Sequence, residues 1–558
     1  MENMRENIID TLNSAQKEAV ECLLGPSLII AGAGSGKTRV LTSKVANILC
    51  HNYDPSSIMV LTFTNKAAAE MKTRIAQLIG DRLAYRLFAG TFHSVFLKFL
   101  IQYAEVLGYS QTFTIYDKDD SKTLVKRCIK ELGLDDKIYK PNEISSRISE
   151  CKNNLITSNS YTSYIELMES DKKTKRGRLH EVFSLYTQRC REQNIMDFDD
   201  ILLNTYKLVD IFPNEFAKIR DRFNFILVDE YQDTNRLQYL ILRALAEKHK
   251  NITVVGDDAQ SIYAFRGARI ENILSFQKDY PNANVFRLEQ NYRSTQNIVD
   301  AANSLIKHNK GQLSKECYSE RISGEKIELI SAYAEKEEAT LVASSIISQI
   351  HKDKLKYEDF AILYRTNSQS RVIEEALRGK NLPFKIYGGR SFYDRAEIKS
   401  LVAYLRLVIN DKDDEAFKRV INFPSRGIGA TSMEKIISLA SEKGLSICEL
   451  VNLINDNEIG IRPATLLKVR SFVKSVERIR VMIYQLDAYE IAKLIDEEFQ
   501  ITASLKEDKS LEGQTRYEYA LEFFNSIKGF VDEGVRELLK EGEVIDAEAP
   551  LITLDLYL

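Results

Sequence analysis

Short, mainly apolar runs recur along this chain, and each leads through a polar or glycine turn into a stretch of helically spaced apolar residues. The first three lie at residues 27–31, 58–63 and 86–90. Mainly apolar runs of this length predict strands covered on both faces, as in a parallel sheet clothed by helices. From 104 to 194 the alternation gives way to helical spacing with charged faces. It resumes at "FNFILVDE" (223–230) and "NITVVGDD" (251–258). One parallel-sheet module interrupted by a helical insertion is the simplest account. A second series follows at 284–289, 326–333, 360–365 and 383–388, and from about 389 the spacing is again helical. The expected division is a first α/β module at 1–103 and 195–282 with its insertion at 104–194. A second α/β module at 283–388 with a helical insertion at 389–558 completes it.

Composition changes this picture little. The 558 residues exceed what one hydrophobic core supports, and 44% hydrophobic with 28% charged residues is a globular profile. No run of eighteen apolar residues predicts a membrane span, and "MENMRENIIDTLNSAQ" lacks a signal-peptide core. The seven cysteines and six histidines show neither a Cys-x-x-Cys pair nor metal-like spacing, which fits reduced thiols and a cytoplasmic location. A net charge of -3 neither requires nor forbids nucleic acid, because a channel-type binder needs only local basic and aromatic residues.

Chemistry enters at "LIIAGAGSGKTRVL" (28–41). A strand, three alternating glycines, Lys37-Thr38 and a helix form a phosphate loop, in which backbone N–H groups and a helix N-terminus face an anion. The leading position of the general pattern is Ala31 rather than Gly. It sits where the strand ends, so a small residue fits. Gly34 and Gly36 bear the close approach, Lys37 reaches the β- and γ-phosphates, and Thr38 offers a Mg²⁺ ligand. The alternative is a glycine-rich turn without a ligand. "FILVDEYQDT" then presents Asp229 for the metal and Glu230 for the attacking water, at the edge where open α/β sheets bind ligands. Gln260, after the next strand, is placed to sense the γ-phosphate.

These segments in this order resemble the UvrD/PcrA/Rep-type DNA helicases of superfamily one. The resemblance is carried by "LNSAQKEAV" (12–20), "AGAGSGKT", "LTFTNKAAAEM" (61–71), "GTFHS" (90–94), "VDEYQDTN", "GDDAQSIYAFRGA", "LEQNYRST" (288–295), "AILYRTNSQSR" (361–371) and "INFPSRGIGATSMEKI" (421–436). Ala31 is part of that family's own loop. The resemblance implies two P-loop NTPase (RecA-like) motor domains, each with a helical insertion. It also implies ATP with Mg²⁺, hydrolysis stimulated by DNA, and movement from 3′ to 5′. The implied nucleotide site is Gln16, Ala31, Gly32, Ala33, Gly34, Ser35, Gly36, Lys37, Thr38, Arg39, Tyr292 and Arg293. Gln16 would read the base, Tyr292 would stack on it, and Arg293 would reach across from the second motor as an arginine finger. Single-strand contacts would come from Phe63, Thr64, Asn65, Thr91, His93, Tyr263, Phe265 and Arg266, with Gly427 and Gly429 on a duplex phosphate. Phe265 stands where relatives commonly carry Trp, a residue this chain lacks. Single strands and their junctions with duplex, and DNA-repair proteins, are the implied partners, and no membrane.

The family's later Gly-Leu-Glu-containing segment and second arginine-bearing segment are not found before Leu558. The expectation is therefore an incomplete second motor, with weak ATPase and no unwinding from these residues alone. Two other readings stand beside the motor: a scaffold that binds DNA and ATP without coupling them, and a motor subunit of a nuclease–helicase assembly. The run "DKKTKRGR" (171–178) is a candidate duplex contact or a solvated face. Thr431 and Glu434 are expected to form a capping box on the helix after "RGIG".

Overall fold

The computed structural model describes residues 2–387, 392–455, 460–541 and 551–557. Among the described residues eight strands are formed: β1 (Ser27–Ala31), β2 (Ile58–Thr62), β3 (Phe88–Thr91), β4 (Thr114–Tyr116), β5 (Ile195–Asp197), β6 (Phe225–Val228), β7 (Ile252–Gly256) and β8 (Asn284–Leu288). Six make one sheet in the order β3-β2-β6-β7-β1-β8, and every pairing in it is parallel. The mixed α/β class is thus realised.

Alternation along each strand explains the mainly apolar runs. Leu28, Ile30, Met59, Leu61, Ile226 and Val228 face one core with Phe92, Phe96 and Phe99. Ile29, Ala31, Ile58, Val60, Phe225 and Leu227 face a second core with Val40, Val45, Met71 and Ile75. Successive side chains point to opposite faces, so a doubly covered strand must be apolar throughout. Each of the larger of these side chains contributes about 1.5–3 kcal/mol by leaving water. The strand ends that carry the site are fixed by this double layer.

The insertion has its own core, built on Tyr116, Leu124, Val125, Tyr161, Phe183 and Tyr186. It is not wholly helical: β4 and β5 pair in parallel, with Thr114 opposite Ile195. Three-residue strands leave too short a run for sequence periodicity to register. The run at 171–178 is largely structural. Asp171 is buried and accepts from the Tyr161 hydroxyl at 2.6 Å, Arg176 pairs with Glu143, and Arg178 with Glu181. Lys172, Lys173 and Lys175 remain exposed.

Helical segments beyond residue 396 meet this insertion through buried polar groups. The Tyr116 hydroxyl donates to Asp413 at 2.8 Å, and Arg406 pairs with Asp120 at 2.6 Å and Asp413 at 2.7 Å. Asn410 donates to Thr114 Oγ1 and to the Gln193 carbonyl. Most buried polar atoms there find a partner, as desolvation demands, although Gln193 Oε1 has no hydrogen bond.

The chain separates into two compact units, residues 1–322 with 396–558, and residues 323–395. The smaller unit packs the helices Glu335–Asp353 and Ser370–Gly379 around Ala343, Leu377 and Leu382. The strands expected at 326–333, 360–365 and 383–388 are not formed among the described residues, and Gly388 lies outside them. A strand needs a ladder partner for its N–H and C=O groups, and β8 gives its pairing to β1 of the first sheet. Leu329 and Leu363 are accordingly 93% and 94% exposed. All seven cysteines are free. Among the described residues no helix is long and apolar enough to cross a membrane.

Candidate functional site

The carboxyl ends of β1, β6 and β7 lie side by side, and the chemistry collects there. Gly34 and Gly36 have φ of 69° and 86°, a left-handed backbone that a Cβ would strain. Gly36 caps the 14-residue helix Lys37–Cys50 without a side-chain bond, so the first N–H groups of that helix are free for an anion. Ser35 is tied down by its hydroxyl on the Gly32 carbonyl at 2.7 Å. Ala31 is fully buried as the last residue of β1, which is why a small side chain suffices there.

Lys37 Nζ lies 3.7 Å from Glu230 Oε2. Asp229 is buried, hydrogen-bonds Thr38, and is pushed up to about 6 by burial and then by the Glu230 carboxylate. Burial, with Glu230, also pushes Asp233 up to about 6, and one of its oxygens has no hydrogen-bond partner. Three carboxylates beside one lysine are under-compensated, and Thr38 and Asp229 supply hard oxygen donors. That donor set fits Mg²⁺, which takes one or two protein oxygens and leaves the rest of its shell to phosphate and water. Among the described residues no group of three or more His, Cys, Asp or Glu forms an all-protein metal cage.

Glu230 has φ 50°, an uncommon conformation for a non-glycine residue, and this bend turns it out of β6. Gln232 Nε2 donates to Glu230 Oε2 at 2.9 Å. The Gln260 amide donates to Asp257 Oδ2 at 2.7 Å.

Gln16 is buried, its amide nitrogen donating to the Ser35 carbonyl at 3.0 Å and its oxygen accepting from Asn13 N. It therefore braces the phosphate loop. Arg39 is drawn aside to the Thr11 carbonyl at 2.8 Å. Tyr292 is 41% exposed, with its hydroxyl accepting from Asn13 and donating to Gln290, both at 2.7 Å. Arg293 follows β8, which pairs with β1 of the first sheet rather than opening a second one, and it lies in the same compact unit as the phosphate loop. Asn291 Nδ2 donates to the Ala33 carbonyl at 2.7 Å and Tyr292 N to the Gly34 carbonyl at 2.9 Å. A Cβ on Gly34 would come within 2.8 Å of Arg293 Cβ, so the arginine enters directly over the loop. Arg293 as a residue is exposed.

A second constellation follows β7. The Tyr263 and Phe265 rings lie 6.0 Å apart at 41°, and the Arg266 guanidinium covers both at 5.2 and 5.5 Å. Phe265 is 78% exposed. Phe63 is half-buried and edge-on to Phe92 at 5.9 Å. Thr64 and Thr91 serve as helix caps, their hydroxyls accepting from Ala67 N and Ser94 N, and Asn65 is exposed in the first turn. Burial holds His93 near pKa 4, so at neutral pH it offers hydrogen bonds and no charge. Its ring meets Phe198 edge-on at 5.7 Å, and Phe198 is 53% exposed. The sequence reading missed Phe198, because an aromatic opening a helix reads as core; its flanking acidic residues were the available signal.

Gly427 has φ 66°, and Gly429 caps the helix Ala430–Lys443. The capping box expected of Thr431 and Glu434 is not formed, because the helix starts one residue before Thr431 and its cap has no side chain. Lys468, also missed, donates to the Arg426 carbonyl at 2.9 Å and brings charge beside Gly427.

Comparison with known proteins agrees with this layout. The profile of the UvrD/REP helicase N-terminal domain matches residues 12–281, and that of the UvrD-like helicase C-terminal domain matches residues 286–533. The ATP-dependent DNA helicase PcrA of Bacillus subtilis is 41% identical over 536 residues, 95% of this chain and 71% of the relative. The chain belongs to the UvrD/REP helicase family. Among UvrD/REP-type relatives, the PcrA helicases of Leuconostoc citreum and Staphylococcus aureus are each 39% identical, covering 95% and 94% of this chain and 70% of their own length. The phosphate loop, Asp229, Glu230 and the Tyr263–Phe265 pair all fall within the N-terminal match, and Tyr292 and Arg293 open the C-terminal one.

Proposed function

We propose that this chain is an ATP-dependent DNA motor of the UvrD type, hydrolysing ATP with Mg²⁺ as it moves 3′ to 5′ along a single strand. The observation that carries the reading is one sheet edge bearing both the phosphate loop with Asp229 and Glu230 and, past β7, the exposed Tyr263–Phe265–Arg266 platform. Hydrolysis and strand grip can thus share one moving part. The substrate is single-stranded DNA and its junction with duplex, in repair or replication restart in the cytoplasm, alongside DNA-repair proteins. The functional division proposed is two motor domains, 1–103 with 195–282 and 283–388, each followed or interrupted by a helical insertion at 104–194 and 389–558.

Each residue has a definite role in this reading. The loop N–H groups and Lys37 hold the β- and γ-phosphates, while Thr38 and Asp229 hold the metal. Held there by Thr38 and Asp229, Mg²⁺ would supply charge neutralisation as the phosphoryl group transfers. Glu230 orients the attacking water and accepts its proton. Gln260 contacts the γ-phosphate region, and Arg293 stabilises the transferring group from above the loop. Tyr292 offers a face to the adenine, with Gln16 bracing the loop below it. Phe63, Thr64, Asn65, Thr91, His93 and Phe198 extend the strand path, and Gly427 and Gly429 with Lys468 meet a duplex phosphate.

Replacing Tyr263 and Phe265 together with Ala is expected to weaken single-strand binding by a few kcal/mol, from about 1–3 per stacked base. The loss should be similar for all base sequences, since every base has a π-face. Fluorescence anisotropy on homopolymeric strands reads this, and unchanged affinity would return both rings to a packing role. Polarity is read on biotinylated single strands carrying streptavidin. Displacement from the 5′ end alone is expected, and displacement from the 3′ end alone would reverse the assignment.

A further inference from the structure

The segment after the helix Gln296–Ile306 folds back over the sheet edge and brings Lys315 to Asp257 and Asp258 at the end of β7. Lys315 Nζ lies 2.6 Å from Asp257 Oδ1 and also contacts the Asp258 carboxylate. The three side chains are 8%, 3% and 0% exposed, so one ammonium compensates two adjacent buried carboxylates. Leu313 N adds a donor to Asp258 at 2.7 Å.

Asp257 does more than anchor this strap. Its other oxygen accepts the Gln260 amide at 2.7 Å, and its N–H donates to Gln232 Oε1 at 3.0 Å. Gln232 in turn donates to Glu230. At its far end the strap reaches the Arg293 segment: Arg321 donates to the Arg293 carbonyl and Ser319 to the Ser294 carbonyl, both at 2.7 Å. Tyr318 N donates to the Glu289 carbonyl, and its own carbonyl accepts from Asn291 N. One short strap therefore touches the residues on both sides of the phosphate loop.

We propose that Lys315 is a positioning residue for ATP hydrolysis, holding Gln260 in its working orientation through Asp257 once the strap is seated. This rests on the role given to Gln260 above. The physical reason is charge. Without the ammonium, Asp257 and Asp258 are two uncompensated buried carboxylates, a costly arrangement that is relieved by protonation or by turning toward water. Either change removes the acceptor that fixes the Gln260 amide. Nucleotide binding depends on the loop and Lys37, which the strap lysine does not touch, so the defect falls on turnover.

The test is steady-state ATP hydrolysis by the full chain with saturating single-stranded DNA, for Lys315→Met, Lys315→Arg, Gln260→Ala and the Lys315→Met/Gln260→Ala pair. Lys315→Met should lower kcat by about tenfold or more with KM for ATP within about twofold, and Lys315→Arg should restore most of it. In the Gln260→Ala background Lys315→Met should cost no more than about a further twofold, because the end of the relay is already gone. Equal losses in the two backgrounds, or full kcat in Lys315→Met, overturn the proposal while leaving Gln260 its role. Full kcat in Gln260→Ala instead removes that role and the relay together. Thermal unfolding checks each variant, and Lys315→Gln replaces Lys315→Met if the latter does not fold.

Discussion

Lys37→Ala is expected to weaken MgATP binding about 10- to 100-fold, the worth of one charge-assisted contact of about 1.5–3 kcal/mol. Glu230→Gln is expected to leave that affinity near wild type and to lower turnover by about 10²–10⁴, the usual contribution of a positioned base. The contrast follows from the site. Lys37 is the cation at the loop, 3.7 Å from Glu230, whereas Glu230 is turned out of β6 by its left-handed backbone. Titration with a fluorescent ATP analogue and a coupled turnover assay separate the two effects. Equal nucleotide affinity in Lys37→Ala and wild type contradicts the phosphate-loop role. Normal turnover in Glu230→Gln moves the base elsewhere.

Arg293→Ala is expected to lower kcat by about 10³–10⁵ while KM for ATP changes little, since an arginine finger acts on charge that appears only in the transition state. The backbone around it is pinned to the loop by Asn291 on the Ala33 carbonyl and Tyr292 on the Gly34 carbonyl, so the substitution leaves the local path intact. Lys at this position keeps a charge but loses the planar fork, and should recover only part of the rate. Turnover of Arg293→Ala within a few-fold of wild type would remove the finger from the mechanism.

What the sequence made legible follows from what is local. A strand covered on both faces must be apolar at every position, so β1, β2, β6 and β7 stand out and carry the loop, Asp229 and Glu230 with them. Periodicity does not say which ladder a strand joins. The run at 284–289 reads as the opening of a second sheet, yet β8 pairs with β1, and this moves Arg293 onto the phosphate loop. The apolar segments at 326–333 and 360–365 have strand composition without a ladder partner, and composition cannot supply one. β4 is too short to register, and Gly429 takes the cap that Thr431 was expected to provide. The Lys315–Asp257 pair has no spacing signal, because its partners meet only through the strap's return.

The central claim is that one sheet edge joins ATP hydrolysis to a strand-gripping platform. Its most direct test is ATP turnover by this chain with and without saturating single-stranded DNA, with the Tyr263→Ala/Phe265→Ala variant alongside. DNA is expected to raise wild-type turnover severalfold, and the variant to keep its basal rate but need far more DNA to reach the same stimulation. Turnover that is the same with and without DNA would contradict it.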